Sequence, residues 1–293
     1  MKTQFLYGAA AMAGLSLLVG PARIFETVQA HDRDDEPVTP IVFQAAGPSV
    51  ASIQGTVDAF RAALGAPNNG NAPGPLSAGR REINWDGGGS TATSPGPTPF
   101  DVFLVTRGSR FITPGSGFVQ APVEGLATTF GNPTYTTIFR AFSPVRLFSP
   151  IDSNVTTARF FVPGGGEVPA TTSGFGAIFS DVDRQEDSGD DRGRGERDNR
   201  RSSTSIAFYG ADGNLLFKSD VPASPGNAGQ SFLGVLFDDA RIASVRIITG
   251  NVAPGADDGR RADVVMMDDF LYGEPQRLED LRAINLLQNL EHR

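Results

Sequence analysis

Apolar and polar residues alternate in short runs along most of the chain, and clusters of Gly, Pro, Asn or Asp separate these runs. Alternation with a period of two is typical of β-strands that bury one face. No helical pattern intervenes, so the runs predict an all-β fold, an antiparallel β-sandwich or jelly roll. The predicted strands are a short segment around Ile83 and Trp85 and residues 100–106, 118–120, 137–142, 157–162, 175–179, 204–209, 214–217, 232–236, 242–249 and 263–272.

Two segments instead have the spacing of amphipathic helices. In residues 56–64, Val57, Phe60 and Leu64 share one face, and Gly65 is placed to end a short N-terminal helix. Within residues 274–293, leucine or isoleucine recurs at every third position with charged residues between. This pattern predicts a C-terminal amphipathic helix, which either packs against the sandwich or serves as a docking element.

The first 30 residues have the pattern of a secretory signal peptide. Lys2 precedes an apolar run over residues 5–19, which is shorter than the ~20 apolar residues of a membrane span. Cleavage after Ala22 or Ala30 would release a mature protein without a membrane span, and the alternative is a retained N-terminal anchor. We therefore expect a secreted or periplasmic, extracellular protein.

The rest of the chain divides by composition. Residues 184–203 contain no apolar side chain, so they predict a disordered loop, either a tolerated surface insertion or a regulatory or cation-binding tract. The predicted organisation is a signal peptide at 1–30, a leader or linker at 31–52, a β-sandwich domain at 53–273 and a helical tail at 274–293.

Composition excludes several kinds of chemistry. The 293 residues include no Cys, so disulfides, thiol nucleophiles and Cys-ligated zinc are absent. The two histidines, His31 and His292, lie near the chain ends, which argues against a His-dependent active site. A net charge of −8 argues against nucleic acid and anionic membranes as partners. Carboxylate chemistry and the binding of hard cations remain.

Acidic residues cluster where predicted strands meet loops: Asp181 and Asp183, Asp257, Asp258 and Asp263, and Asp268 and Asp269. Ca²⁺ takes several oxygen ligands from carboxylates and loop carbonyls. We therefore predict a Ca²⁺ site that uses Asp181, Asp183 and Asp269. The alternative is that Asp269 accepts backbone hydrogen bonds and the cluster is a solvated surface. Neighbouring strand residues point to opposite faces, so at most one of Asp268 and Asp269 should face the core.

Aromatic side chains with a polar edge are candidates for contact with sugars. Trp85, Tyr209 and Tyr272 are predicted to bind a ligand, since exposed aromatic rings stack on sugar rings. The alternative for Trp85, which is the only Trp, is a place in the hydrophobic core.

Four segments in the second half of the chain, from about residue 154 to 275, are distinctive: Ser173-Gly-Phe-Gly-Ala-Ile-Phe-Ser-Asp-Val-Asp, Ser205-Ile-Ala-Phe-Tyr-Gly-Ala-Asp-Gly, Ser231-Phe-Leu-Gly-Val and Met267-Asp-Asp-Phe-Leu-Tyr-Gly. Through these segments the chain resembles exported bacterial β-sandwich proteins of uncharacterised function. Similar segments occur in jelly-roll domains of cell-surface proteins, including the PEP-CTERM proteins that a C-terminal Pro-Glu-Pro signal sorts to the envelope. Here Gly273-Glu-Pro-Gln precedes a charged segment rather than an apolar span and a basic tail, so we expect no such sorting signal.

These observations favour a non-enzymatic binding or structural module outside the cytoplasm. Its expected partner is a polysaccharide or another cell-envelope component, with Ca²⁺ as a stabilising ion. The alternative is a carboxylate-dependent polysaccharide hydrolase, which needs a pair of acidic side chains in one cleft. The spacing of the acidic residues selects no such pair.

Overall fold

The structure is a computed structural model of the chain, and it describes residues 39–87, 92–184, 202–224, 226–259 and 261–278. The described residues form two main antiparallel sheets and a short strand pair, with a few helices. This arrangement confirms the predicted all-β sandwich.

The larger sheet has eight strands, and its two central strands are buried along their whole length. Its strands are β1 (Ile41–Gly47), β2 (Arg80–Ile83), β3 (Ser94–Gly96), β5 (Gly117–Ala121), β6 (Leu147–Ile151), β9 (Gly174–Ser180), β12 (Gln230–Leu236) and β14 (Met266–Gly273). They follow the order β1-β12-β9-β14-β6-β5-β3, and β2 pairs with the second half of β14.

The smaller sheet has five strands, β4 (Ser109–Ile112), β7 (Val155–Phe160), β10 (Ser205–Tyr209), β11 (Leu215–Asp220) and β13 (Ser244–Ile248). They follow the order β11-β10-β13-β7-β4. A separate short pair joins β8 (Ala170–Thr171) to β15 (Gln276–Arg277).

The main core lies between the two sheets and is rich in aromatic side chains. The Trp85 ring is fully buried there and stacks on Phe148 with ring centroids 3.7 Å apart. Its indole N–H donates a hydrogen bond of 2.8 Å to the backbone carbonyl of Asp268. Trp85 thus joins β2 to β14 and β6, which agrees with the core alternative for this residue.

Helices cover the outer face of the larger sheet. Helix α1 (Val50–Leu64) packs Phe60 and its apolar neighbours against residues of β9, β12 and β14. Helices α3 (Val123–Phe130) and α4 (Tyr135–Ile138) cover β5, β6 and the start of β14. A further short helix, α2 (Leu104–Arg107), lies before β4. Because the larger sheet is covered on both sides, β9 and β14 are buried on both faces.

Several predicted boundaries are wrong. The leader predicted at 31–52 contains β1 and the start of α1, so the sandwich begins before residue 53. Residues 100–106 and 137–142, predicted as strands, contain α2 and part of α4. Tyr135, Ile138 and Phe139, in and just before the second segment, are buried against the sheet at helical spacing. Within a segment this short, helical spacing resembles the period-two alternation of a strand.

The predicted N-terminal helix is present and ends at Leu64, before Gly65 with φ of 98°. The predicted signal peptide (1–30), most of the charged loop and residues 279–293 lie outside the described residues. In the predicted tail, Gln276–Arg277 forms a strand rather than a helix. Among the described residues, no helix combines the length and apolar character needed to cross a membrane.

Candidate metal centre

Strand pairing brings two acidic segments together at one end of the larger sheet. β9 ends at Ser180, β14 begins at Met266, and these two residues are paired partners in neighbouring antiparallel strands. The segment that leaves β9 therefore lies beside the segment that enters β14. One carboxylate oxygen from each of Asp183, Asp258 and Asp263 lies within 4.8 Å of the others.

Backbone contacts fix Asp263 at the centre of this group. The Asp263 N–H donates to the Asn251 side-chain oxygen at 2.9 Å, and the Asn251 N–H donates to the Asp263 carbonyl at 3.0 Å. Gly250, with φ of 63°, makes this approach possible, because a Cβ there would lie 1.9 Å from the Asp263 carbonyl oxygen. The Ser203 hydroxyl donates to the Asp263 carboxylate.

Asp258 belongs to a loop that α4 holds in place. One Asp258 oxygen accepts the Val264 N–H at 3.0 Å. The Tyr135 hydroxyl accepts the Gly255 N–H at 2.7 Å and donates to the Ala256 carbonyl at 3.0 Å. These bonds fix the loop backbone, and the second Asp258 oxygen has no hydrogen bond among the described residues.

Asn132 supports the same loop from the end of α3. Its side-chain amide donates to the Ala256 carbonyl at 3.0 Å and to the Asp257 carboxylate at 3.1 Å. Tyr135 and Asn132 are both buried, so the loop rests on a fixed wall rather than on solvent-exposed contacts.

Asp181 is the most unusual group at this end of the sheet. It is 1% exposed, its φ is 68°, and neither carboxylate oxygen has a hydrogen-bond partner among the described residues. The nearby Ala228 N–H donates elsewhere, to the Ile138 carbonyl at 2.8 Å. A buried carboxylate without a donor or a cation is strongly unfavourable.

The pKa values of the carboxyl groups in this cluster are raised, because burial disfavours their charged forms. Burial, followed by the charges of Asp258, Asp183 and Asp263, raises the pKa of Asp181 to about 8. Burial also raises the pKa of Asp263 to about 7, and it raises the pKa of Asp183 and Asp258. No basic side chain in the described ranges lowers the pKa of any of these four carboxyl groups. Ionising all four carboxyl groups would therefore create closely spaced negative charge that no basic side chain of the described residues offsets.

A cleft of about 1070 Å³ opens beside the three converging carboxylates. Asp183 and Asp258 are partly exposed in it, so a bound ion would keep positions open to a ligand. Arg184 and Arg261 also line the cleft and form no ion pair within the described ranges. The remaining lining residues are Ala46, Thr134, Ile138, Ala223, Ser224, Gly226, Asn227, Asn251, Asp257, Gly259 and Asp263.

The structure brings Asp181 and Asp183 to this cluster but not Asp269, the third predicted ligand. The Asp269 carboxylate lies 3.4 Å from the Arg61 guanidinium of α1. A β-bulge between Met267 and Phe270 inserts one extra residue opposite β9. Both Asp268 and Asp269 are buried, and Asp269 faces Arg61 of α1 on the outer side of the larger sheet rather than the core between the two sheets.

Asp268 and Asp269 form a closed pair rather than an open site. The Phe142 N–H and the Ser143 hydroxyl donate to Asp268 at 2.6 Å and 3.0 Å. Burial and the adjacent Asp269 charge raise the pKa of Asp268 well above its ordinary value. The backbone hydrogen bond expected for Asp269 is thus made by Asp268, whereas Asp269 accepts from the Arg61 guanidinium and its other oxygen has no hydrogen-bond partner among the described residues.

The three predicted ligand-binding aromatics are not brought together. Trp85 and Tyr272 are fully buried, so neither ring offers a surface on which a sugar could stack. The Tyr272 hydroxyl donates to the Arg107 carbonyl at 3.0 Å. Tyr209 lies at the end of β10 in the smaller sheet and is half-buried. The prediction that these rings are exposed is therefore wrong for Trp85 and Tyr272, because both side chains are packed in the hydrophobic core.

Asp258 and Asp263 are the site residues that the sequence prediction left out. Their position relative to the predicted strands is the sequence signal that could have identified them. If the strand before Asp181 pairs with the strand after Asp263, the two segments must meet, whereas Asp269 lies well inside that strand. None of the protein families, curated proteins or solved structures with which the chain was compared matches it.

Proposed function

We propose that this protein is an exported, non-enzymatic β-sandwich binding module whose acidic cleft holds a Ca²⁺ ion. The observation that carries the proposal is the convergence of Asp183, Asp258 and Asp263 within 4.8 Å beside Asp181, whose buried carboxylate has no partner among the described residues. A divalent cation would supply positive charge that these groups do not receive from the described residues.

The donor set suits a hard cation. Ca²⁺ takes 6 to 8 oxygen ligands at about 2.3–2.6 Å in flexible geometry. The cluster offers carboxylate oxygens only, with no imidazole or thiolate among the described residues, which disfavours zinc and copper. The carboxylates cannot fill every position, so water or a ligand from the cleft would complete the shell.

The expected location outside the cytoplasm is compatible with a Ca²⁺ site. The pattern of residues 1–30 predicts export, and Ca²⁺ sites of extracellular modules have dissociation constants of about 10⁻⁴–10⁻³ M. A site that must deprotonate Asp181 and Asp263 on binding belongs in this weaker range, since part of the binding free energy is used to remove protons.

Calorimetric titration of the EDTA-treated full chain with CaCl₂ tests the proposal. We expect one Ca²⁺ per chain and a higher melting temperature in millimolar Ca²⁺, because an ion bound a hundredfold above its dissociation constant adds about 2.7 kcal/mol. Asp258→Asn should weaken binding at least tenfold. Asp220→Asn, an exposed carboxylate at the end of β11, is the matched control and should leave affinity unchanged. No heat and no melting shift in millimolar Ca²⁺ would refute the site.

A carboxylate-dependent polysaccharide hydrolase remains the second candidate. The observation in its favour is a carboxyl group of raised pKa, Asp263, beside the partly exposed Asp183 and Asp258 in an open cleft. A general acid at neutral pH requires such a raised pKa. Release of reducing ends from neutral polysaccharides in EDTA, lost in Asp263→Asn, would favour this candidate over the binding module.

A further inference from the structure

The cleft beside the carboxylates has the size and lining of a site for a polar, extended ligand. Its volume of about 1070 Å³ is at the upper end of ligand pockets, which are typically about 300–1,000 Å³. Ala46, Ile138 and Ala223 form its apolar part, and hydroxyl, amide, carboxylate and guanidinium groups form most of the rest. No aromatic ring lines it among the described residues, so a ligand would be held by polar contacts and by the ion.

Charge decides between a neutral and an anionic ligand. One divalent ion and two guanidinium groups balance the four lining carboxylates, and Asp181 adds one further negative charge when ionised. Among the described lining residues there is therefore no surplus positive charge, and an anionic ligand would bring excess negative charge to them. The charged residues counted are Asp183, Asp257, Asp258, Asp263, Arg184 and Arg261.

We infer that the Ca²⁺-loaded cleft binds a neutral glycan, through a vicinal diol that takes two open coordination positions of the ion. This inference rests on the proposed function. Two adjacent hydroxyl oxygens are hard donors of the kind that Ca²⁺ prefers, and they carry no charge. An acidic glycan is the competing ligand class.

The cleft rim offers hydrogen-bond partners for the other hydroxyl groups. Asn227 and Arg261 are exposed there, and their side chains make no hydrogen bond or ion pair within the described part of the chain. An amide both donates and accepts, and a guanidinium donates in a fixed fork, so together they match the mixed character of sugar hydroxyls. Asn251 also lines the cleft but anchors Asp263, so it is not used as a probe.

The first experiment measures glycan binding against diol chemistry. Calorimetry in Ca²⁺ and in EDTA would compare mannan, dextran, galactan and xylan with the same polymers after periodate cleavage and borohydride reduction. Periodate breaks the carbon–carbon bond between vicinal hydroxyls and leaves neutral polymers. We expect at least one intact polymer to bind in Ca²⁺ only, and its oxidised form to lose binding.

The second experiment separates the glycan from the ion. Asn227→Ala combined with Arg261→Ala should weaken glycan binding about tenfold or more, because two side chains that contact hydroxyls are lost. Ca²⁺ affinity without glycan should remain within about twofold of wild type, since neither residue belongs to the converging carboxylates. Asn71→Ala combined with Arg159→Ala, both exposed and outside the cleft, is the matched control and should change neither affinity.

The outcomes distinguish the two proposals. Normal Ca²⁺ binding with no binding of any intact polymer, equal binding after periodate treatment, or stronger binding of polygalacturonate would overturn the neutral-diol inference and leave the Ca²⁺ site standing. Failure to bind Ca²⁺ would overturn both, and glycan binding that persists in EDTA would then assign the cleft a metal-independent role.

Discussion

The metal-free protein should lose stability as pH rises from about 5 to 8, and Ca²⁺ should cancel much of that loss. In the folded state the pKa of Asp181 is about 8 and that of Asp263 about 7, against an ordinary value of 3.8. Between these limits the folded protein retains protons that the unfolded chain has released. Unfolding then releases protons, so higher pH favours the unfolded state.

The size of the effect follows from proton linkage. Each carboxyl group that is protonated only in the folded state contributes about 1.4 kcal/mol per pH unit. Asp181 alone should therefore lower the free energy of unfolding by about 3 kcal/mol between pH 5 and 7. This is a large part of the ~5–15 kcal/mol that stabilises a typical domain. Asp268, whose pKa is also raised, acts in the same direction but has no contact with the proposed ion.

Thermal and guanidinium unfolding of the full chain across this pH range, in EDTA and in saturating Ca²⁺, gives the measurement. Ca²⁺ binds the ionised cluster, so it should flatten the pH dependence, and its affinity should rise with pH. Asp181→Asn should also reduce the slope in EDTA, since the amide does not titrate and Asn tolerates positive φ. A slope that neither Ca²⁺ nor Asp181→Asn changes would refute the assignment and leave the buried Asp268 as its source.

Two further predictions test the supports of the site and of the fold. Tyr135→Phe removes the hydroxyl that bonds Gly255 and Ala256, so it should weaken Ca²⁺ binding about tenfold in calorimetry while circular dichroism stays unchanged. Arg81→Met leaves Glu274 buried without the guanidinium that binds it at 2.6 Å and 2.7 Å, and guanidinium unfolding should show a loss of about 3–5 kcal/mol. Adding Glu274→Leu to Arg81→Met should restore most of that loss, and equal losses in both variants would contradict the burial argument.

The sandwich was predictable because its strands carry local signals. Residues 175–179 and 232–236 lie within β9 and β12, the predicted strand 204–209 begins one residue before β10, and each segment is bounded by turn-forming residues. The pattern fails where a third layer covers the sheet. Tyr135 and Ile138 belong to α4, which packs on the outer face, and a short apolar helix there resembles a strand when read alone.

The candidate site was predictable only in part, because it depends on which strands pair. Asp181 and Asp183 could be recognised as acidic residues at a strand end. Their partners come from a loop about 80 residues later, and only the pairing of Ser180 with Met266 selects Asp258 and Asp263 over Asp269. Strand order across such a separation is not encoded in local alternation.

Asp181, which follows β9, and the pair Asp268 and Asp269 in β14 are all buried aspartates, but their surroundings differ. At the bulge, Asp268 receives a backbone N–H and a hydroxyl, and Asp269 faces Arg61, so the fold itself supplies donors and charge. At the strand entrance, Asp181 receives neither, and the neighbouring carboxylates raise its pKa further. A buried carboxylate without hydrogen-bond donors is tolerated if a bound cation compensates its charge. We therefore place the proposed binding chemistry at the open end of the sheet rather than at its closed centre.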